Sequence, residues 1–270
     1  MNQPIGQTRL LNILNNYNTS TLPKTMLFIG DQGCGKKTFA KYLADKFKFD
    51  FVEFEESVKT EDLLDFMHST INTIYLINLD NFTEKQHNIF LKITEEPYKS
   101  AYFVLTTSSE ATVLPTILNR CIKYHFDHYT LEELRVITGS TFISHEATAI
   151  FKTPGKLMNL TDASFRAISD LADKLVKNIH LANYANTLSI STRINYKDLY
   201  NKVDFYLFFD VVEYRAFEDF KNNGTPQSLT IFKITNQFKQ LTRKQNLIKE
   251  TLMLNYLTTL WEATHDISRT

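Results

Sequence analysis

Cysteine is nearly absent: 270 residues hold two, Cys34 and Cys121, far apart and matching no zinc-ligand spacing. The seven histidines are scattered and form no metal spacing either; His125 and His128 read as structural. Net charge is absent too, with 30 Lys+Arg against 30 Asp+Glu, so no overall field demands nucleic acid as a partner. A local basic patch stays compatible with that balance, because net charge says nothing about distribution. No charged segment followed by an apolar one opens the sequence, and no apolar run approaches the ~18 residues of a membrane span. These absences lead us to expect a soluble, cytoplasmic protein in a reducing compartment, without bound zinc and without a membrane partner.

What is present is an ordinary globular balance, 43% hydrophobic and 22% charged, in a length that suits about two domains of ~150 residues. The first half alternates short apolar runs with amphipathic stretches. MLFIG (26–30), DFVEFE (50–55), TIYLIN (73–78), AYFVLTT (101–107) and IKYHF (122–126) read as strands. KKTFAKYLADKF (36–47), TEDLLDFMHSTI (60–71) and TEKQHNIFLKIT (83–94) carry apolar residues at helical spacing. Such alternation predicts an α/β domain with a parallel sheet covered by helices on both faces. After about Phe126 the pattern is helical, interrupted at TPGK (153–156) and KNNGTPQ (221–227). We therefore expect an α/β domain over 1–127, a small helical domain over 128–163 and a larger all-helical one over 164–270.

Gly30-Asp31-Gln32-Gly33-Cys34-Gly35-Lys36 fits G-x-x-x-x-G-K between an apolar strand and a helix. That context is what a phosphate-binding loop requires. Glycines let backbone N–H groups and the helix N-terminus wrap an anion, and Lys36 offsets its charge. The next position departs from an active loop. A Ser or Thr there would hold Mg²⁺, but Lys37 occupies it and Thr38 comes one place late. One residue along a helix rotates a side chain by roughly 100°, so Thr38 does not simply take over.

A hydrolysing site also needs a strand ending in a carboxylate that holds the metal and polarises water. The candidate TIYLIN ends in Ile77 and Asn78, and Asp80 falls beyond it. Asn can orient a water but cannot act as a carboxylate base. Two independent losses point away from hydrolysis. Gly30, Gly33, Gly35, Lys36, Lys37 and Thr38 remain as a degenerate nucleotide site. Whether it holds ATP or ADP without turnover, or nothing, stays open from these residues. The rival reading is an active ATPase using Thr38 and Asp80 in shifted roles.

The run Asn88 to Pro97 (NIFLKITEEP), followed by Leu114 to Cys121 (LPTILNRC), resembles clamp-loader subunits of the AAA+ class. The likeness is to the delta-prime and gamma/tau subunits of the bacterial replicative polymerase and to their phage counterparts. IGQTRLLNIL (5–14) resembles the segment that borders the adenine pocket in that family. TPGKLMNL (153–160) resembles the family's lid segment, with Lys156 where active members often carry a nucleotide-sensing arginine. The likeness is good over about 1–160, and weak beyond it, where RKQNLIKETLMLNYLTTLW is similar to the family's collar. It implies an AAA+ domain, a helical lid and an oligomerising collar.

Asn119-Arg120-Cys121 stands where the family has Ser-Arg-Cys, whose arginine reaches a neighbouring subunit's ATP. Read alone, Arg120 is a surface arginine before an edge strand, salt-bridged locally. Within the resemblance it is a finger acting in trans, suited by a guanidinium that is always charged and grips phosphate in a fixed fork. The implied partners are other loader subunits in a hetero-oligomeric ring and, through the complex, the sliding clamp and primed DNA. The family's usual four-cysteine zinc module is not encoded here. KQLTRKQNLIK (239–249) reads as a solvated helical face, with DNA contact the alternative. VDFYLFFDVVEYRAFEDF (203–220) reads as core and subunit interface.

Overall fold

Residues 3–54, 70–95, 97–139, 144–158, 160–179, 181, 183, 187, 205–241 and 249–267 are described by a computed structural model of the chain. The expected helix over 60–71 lies almost wholly outside them. Five strands form one sheet: β1 (Thr25–Ile29), β2 (Asp50–Phe54), β3 (Thr73–Asn78), β4 (Ala101–Thr107) and β5 (Ile122–His125). Their order is β2-β3-β4-β1-β5, and every pairing is parallel. In chain order the helices are α1 (Thr8–Asn16), α2 (Lys36–Phe47), α3 (Glu84–Glu95), α4 (Pro115–Leu118), α5 (Leu131–Thr138) and α6 (His145–Ile150). They continue as α7 (Pro154–Leu157), α8 (Asp162–Asn178), α9 (Phe205–Asn223), α10 (Pro226–Leu241) and α11 (Lys249–Ile267).

The near-continuous apolar strands follow from burial on both faces. All five residues of β1 and all seven of β4 are buried. Alternate side chains go to opposite layers, as a two-residue period requires. Met26, Phe28, Ile74, Leu76 and Val104 join Leu10, Leu14, Phe39 and Leu43 of α1 and α2. Leu27, Ile29, Tyr75, Ile77, Phe103 and Leu105 join Phe90 of α3 and Ile117 of α4. The sheet is thus a three-layer core that fixes the turn between β1 and α2.

The chain separates into two compact units: residues 1–141 with 152–158, and 142–151 with 159–270. The segment 128–163 is therefore divided between them. TPGK is more than an interruption: Pro154 occupies the first turn of α7, where its missing N–H costs no hydrogen bond.

In the second unit the aromatic run 203–220 supplies core. Leu207, Phe208, Phe209, Val211, Val212 and Ala216 are buried, whereas Phe217 is exposed. Phe209 and Phe238 meet Tyr256 with ring centroids 4.9 and 5.3 Å apart. Tyr256 and Thr235 are hydrogen-bonded at 2.8 Å, and Thr235 donates to the Ile231 carbonyl at 2.6 Å, so neither hydroxyl is wasted inside the bundle. The basic stretch beginning at Lys239 is not simply a solvated face. Lys239 turns onto Asp210 at 2.6 Å and onto Glu213, drawn by two carboxylates on α9. Residues 242–248 of that stretch lie outside the described residues.

Asp219 organises the turn between α9 and α10. It accepts from Asn223 at 2.7 Å, from Thr225 at 2.8 Å and from Ser228. The Ser228 bond, helped by Thr225 and Asn223, outweighs burial and holds its carboxyl below the ordinary 3.8. A depressed carboxylate contributes stability above its unfolded pKa and loses it as pH falls through the folded value. Asp219→Asn is expected to cost about 1 kcal/mol at neutral pH. The gap from wild type should close on acidification below 3.8, as read by thermal melts across pH. A gap unchanged down to the acid limit would show that the charge of Asp219 does not matter.

Candidate functional site

The loop between β1 and α2 gathers Gly30, Gly33, Gly35 and Lys36. Gly35 is the N-cap of α2 at φ +98° and offers no side-chain cap, so first-turn N–H groups remain for an anion. Lys36 folds back to donate to the Gly30 carbonyl, and to the Asp31 carbonyl at 3.1 Å. Cys34 is buried beneath the loop, and burial pushes its thiol above the ordinary range. Such a set suits a phosphate: amides, a helix start and one ammonium.

Gly33 and Gly155 form the tightest approach. Gly33 has φ +81°, a region that L side chains rarely adopt. A Cβ on Gly155 would lie 2.6 Å from the Gly33 Cα, so only glycine fits there. The Gly155 N–H donates to the Gly33 carbonyl at 2.9 Å, and Thr153 Oγ1 donates to the Gln32 carbonyl at 3.0 Å. Lys156 follows on α7, so the structure brings it to the same loop as Gly33.

A third element comes from Tyr129. Thr130 caps α5 in a reciprocal box with Glu133, which fixes where that helix starts and hence where Tyr129 sits. Its hydroxyl donates to the Cys34 carbonyl at 2.8 Å, and its ring lies against Gly6. Burial, then the neighbouring Cys34, pushes this phenol up to about 12, so it stays a donor at neutral pH. Gln7 clamps the same end of the chain, accepting from the Asp127 N–H at 2.8 Å and donating to its carbonyl at 2.5 Å.

The metal side is different. Lys37 forms an ion pair with Glu53 of β2 at 2.5 Å. Thr38 is exposed on α2. Asn78 ends β3 and accepts from Thr106 at 3.3 Å. Asp80 sits in a 3-10 turn, with one oxygen accepting from Thr107 at 2.8 Å and the other from the Ser108 N–H at 2.8 Å. Both oxygens thus tie the end of β4 to the turn after β3. Lys37 and Asn78 thus stand where a metal site would need a hydroxyl and a carboxylate.

Arg120 lies away from the loop residues in sequence and on its own element. It follows α4, whose Ile117 is fully buried and receives the Arg120 N–H on its carbonyl at 3.0 Å. The guanidinium donates to the Thr116 carbonyl at 2.7 Å and pairs with Glu95 at 2.5 Å. Its side chain is 35% exposed and precedes the edge strand β5. The local ion pair expected of a surface arginine is therefore present, and so is the exposure that a finger needs. Glu53, Glu95, Tyr129 and Thr153 were not singled out from sequence. Glu53 in DFVEFE, Glu95 in TEEP and Thr153 in TPGK stood in stretches read for other reasons, and Tyr129 in none.

A family model described as DNA polymerase III, delta subunit, matches residues 65–130. The gamma/tau subunit of DNA polymerase III from Mycoplasma genitalium is 25% identical over 265 residues, covering 82% of this chain and 44% of that protein. The tau subunit from Salmonella typhimurium is 24% identical over 216 residues, covering 64% of this chain and 32% of that protein. The chain thus spans less than half the length of these curated relatives. Among solved structures, a DNA polymerase III gamma subunit-related protein from Thermotoga maritima superposes with a TM-score of 0.53 at 14% identity, over 97% of this chain and all of the other. The RuvB Holliday junction branch migration motor of the same organism gives 0.50 at 14% identity over 74% of this chain and 85% of that one. The chain is clamp-loader-like in sequence, and its sheet and helices have the AAA+ fold. No helix among the described residues is long and apolar enough to cross a membrane.

Proposed function

We propose that this chain is an ATPase-silent subunit of a polymerase clamp-loader complex and supplies Arg120 to a neighbouring subunit's ATP. The observation that carries the reading is a contrast. Asp80, the first carboxylate after β3, has both oxygens committed to the Thr107 hydroxyl and the Ser108 N–H, while Arg120 stands exposed on a short, well-anchored turn. Lys37, in the metal-hydroxyl position, is turned to Glu53 and supports the same conclusion. The loop keeps its anion-binding parts, so we assign it ATP or ADP held without hydrolysis, by the amides of 33–36 and by Lys36, with Lys156 on the facing segment. The partners are the other loader subunits in a hetero-oligomeric ring and, through them, the sliding clamp and primed DNA.

The purified full chain should release no phosphate from ATP above background, with or without primed DNA. Metal and base losses cost orders of magnitude in rate. It should still bind a fluorescent ATP analogue, and Lys36→Ala should weaken that binding at least about tenfold, the loss of one charge-assisted contact. Steady turnover abolished by Lys36→Ala would overturn the silent assignment and favour an active subunit. Absence of analogue binding would remove the nucleotide from the reading and leave Arg120 as its basis.

A further inference from the structure

Arg120 does not stand alone in the structure. We propose that Glu95 is a positioning residue for Arg120, fixing the plane of its guanidinium before a neighbour's phosphate arrives; the proposal rests on the trans-acting reading above.

The geometry supplies two holds from two elements. Nη1 donates to the Thr116 carbonyl on α4 at 2.7 Å, and Nη2 donates to Glu95 Oε1 at the end of α3 at 2.5 Å. Both elements are anchored in the sheet's core, α4 by Ile117 and α3 by Phe90. A guanidinium has five N–H donors. Two are turned inward by these bonds, which leaves three to meet an acceptor outside the chain.

Magnitudes separate positioning from simple stapling. The two side chains are 35% and 50% exposed, and a pair in that setting adds little to fold stability. Its effect falls on the arginine itself. An unheld arginine samples many rotamers, and a phosphate contact must then fix all of them at once. A guanidinium already held in plane loses less freedom when it engages the transition state. The carboxylate also brings negative charge near an incoming phosphate. Exposure screens that repulsion, so orientation dominates and removing Glu95 slows the neighbour.

The test uses the full chain assembled with gamma/tau-type ATPase subunits and primed DNA. Glu95→Ala should lower the rate of ATP hydrolysis at the neighbouring site by about tenfold, read as a slow phase in single turnover, since misplacing a catalytic group by an ångström can cost more than that. KM for ATP should stay within about twofold, as a loss confined to the transition state requires. Glu95→Gln keeps an acceptor oxygen at the same reach and should retain most of the rate. Arg120→Ala and the double variant Arg120→Ala/Glu95→Ala should be indistinguishable. An unchanged or raised rate with Glu95→Ala, while Arg120→Ala remains slow, would overturn the positioning role alone. An unchanged rate with Arg120→Ala would bring down the trans-acting reading and the positioning role with it.

Discussion

Arg120→Ala is expected to lower ATP hydrolysis at the neighbouring site by about 10³-fold while leaving folding and assembly intact. Folding should survive because the side chain is exposed and its ion pair with Glu95 lies in high dielectric. The backbone turn that carries it is set by Ile117, Asn119 and Pro115, none of which the substitution touches. The loss falls on the transition state, where charge develops on the transferred phosphate and a planar fork meets it. Arg120→Lys should not rescue, because an ammonium lacks the fork and the reach. In a ring with several competent sites the summed rate drops less, since one site is disabled. Single-turnover measurement in the reconstituted complex isolates that site. Wild-type rates with Arg120→Ala would leave this chain as a scaffold.

The second large effect lies in the helical unit. Lys239→Met removes the cation that pairs with Asp210 at 2.6 Å and with Glu213, and Asp210 is only 6% exposed. Breaking a buried pair by deleting one partner costs about 3–5 kcal/mol, because charge is left in low dielectric. For a protein of this size that is a fall in Tm of the order of 10 °C. Burial pulls the Lys239 pKa down, but Asp210 and Glu213 more than offset it, so the folded value stands above 10.5. A raised lysine contributes its full stability below the unfolded pKa and loses it as pH rises through the folded one. The difference between wild type and Lys239→Met should therefore hold from neutral pH to about 10.5 and shrink above. Adding Asp210→Leu to Lys239→Met should recover part of the stability by removing a buried carboxylate that has lost the Lys239 ammonium. Melts of Lys239→Met that match wild type would show that the pair is solvated and the burial argument fails.

β1, β3 and β4 are legible in sequence because they are buried on both faces and read as largely apolar runs, whereas the edge strands β2 and β5 are legible through their Phe, Val, Ile and Tyr residues. Their observed limits differ from the reading by a residue at most; MLFIG is realised as Thr25–Ile29. The glycine-rich turn between β1 and α2 is legible because its glycines and lysine lie within seven residues of chain. Arg120 is legible through LPTILNRC. The partners of these residues are not. Glu53 reaches Lys37, Glu95 reaches Arg120, and Tyr129 reaches Cys34 only after sheet and helices have packed. No local period encodes such meetings. Gly155 shows the limit best: as letters, TPGK marks a break, and only its packing on Gly33, where a Cβ would fall 2.6 Å from the Gly33 Cα, explains why that break holds a glycine. Lys239 makes the same point, since a basic helical stretch gives no sign of which charges turn inward.

The close contact between Gly33 and Gly155 also sets an order of events during synthesis. The loop leaves the ribosome early, whereas the donor to its Gly33 carbonyl arrives with residue 155, roughly 120 residues and some 6–24 s later at ordinary elongation rates. β1 waits similarly, since it lies between β4 and β5 in the sheet and both are made after it. Phe151 must wait for Phe165, its partner in the second unit, with ring centroids 6.2 Å apart. A nascent chain halted between these points would present Phe151 and an unfinished loop to solvent. Chaperones should meet this chain chiefly in that interval, before α8 has emerged.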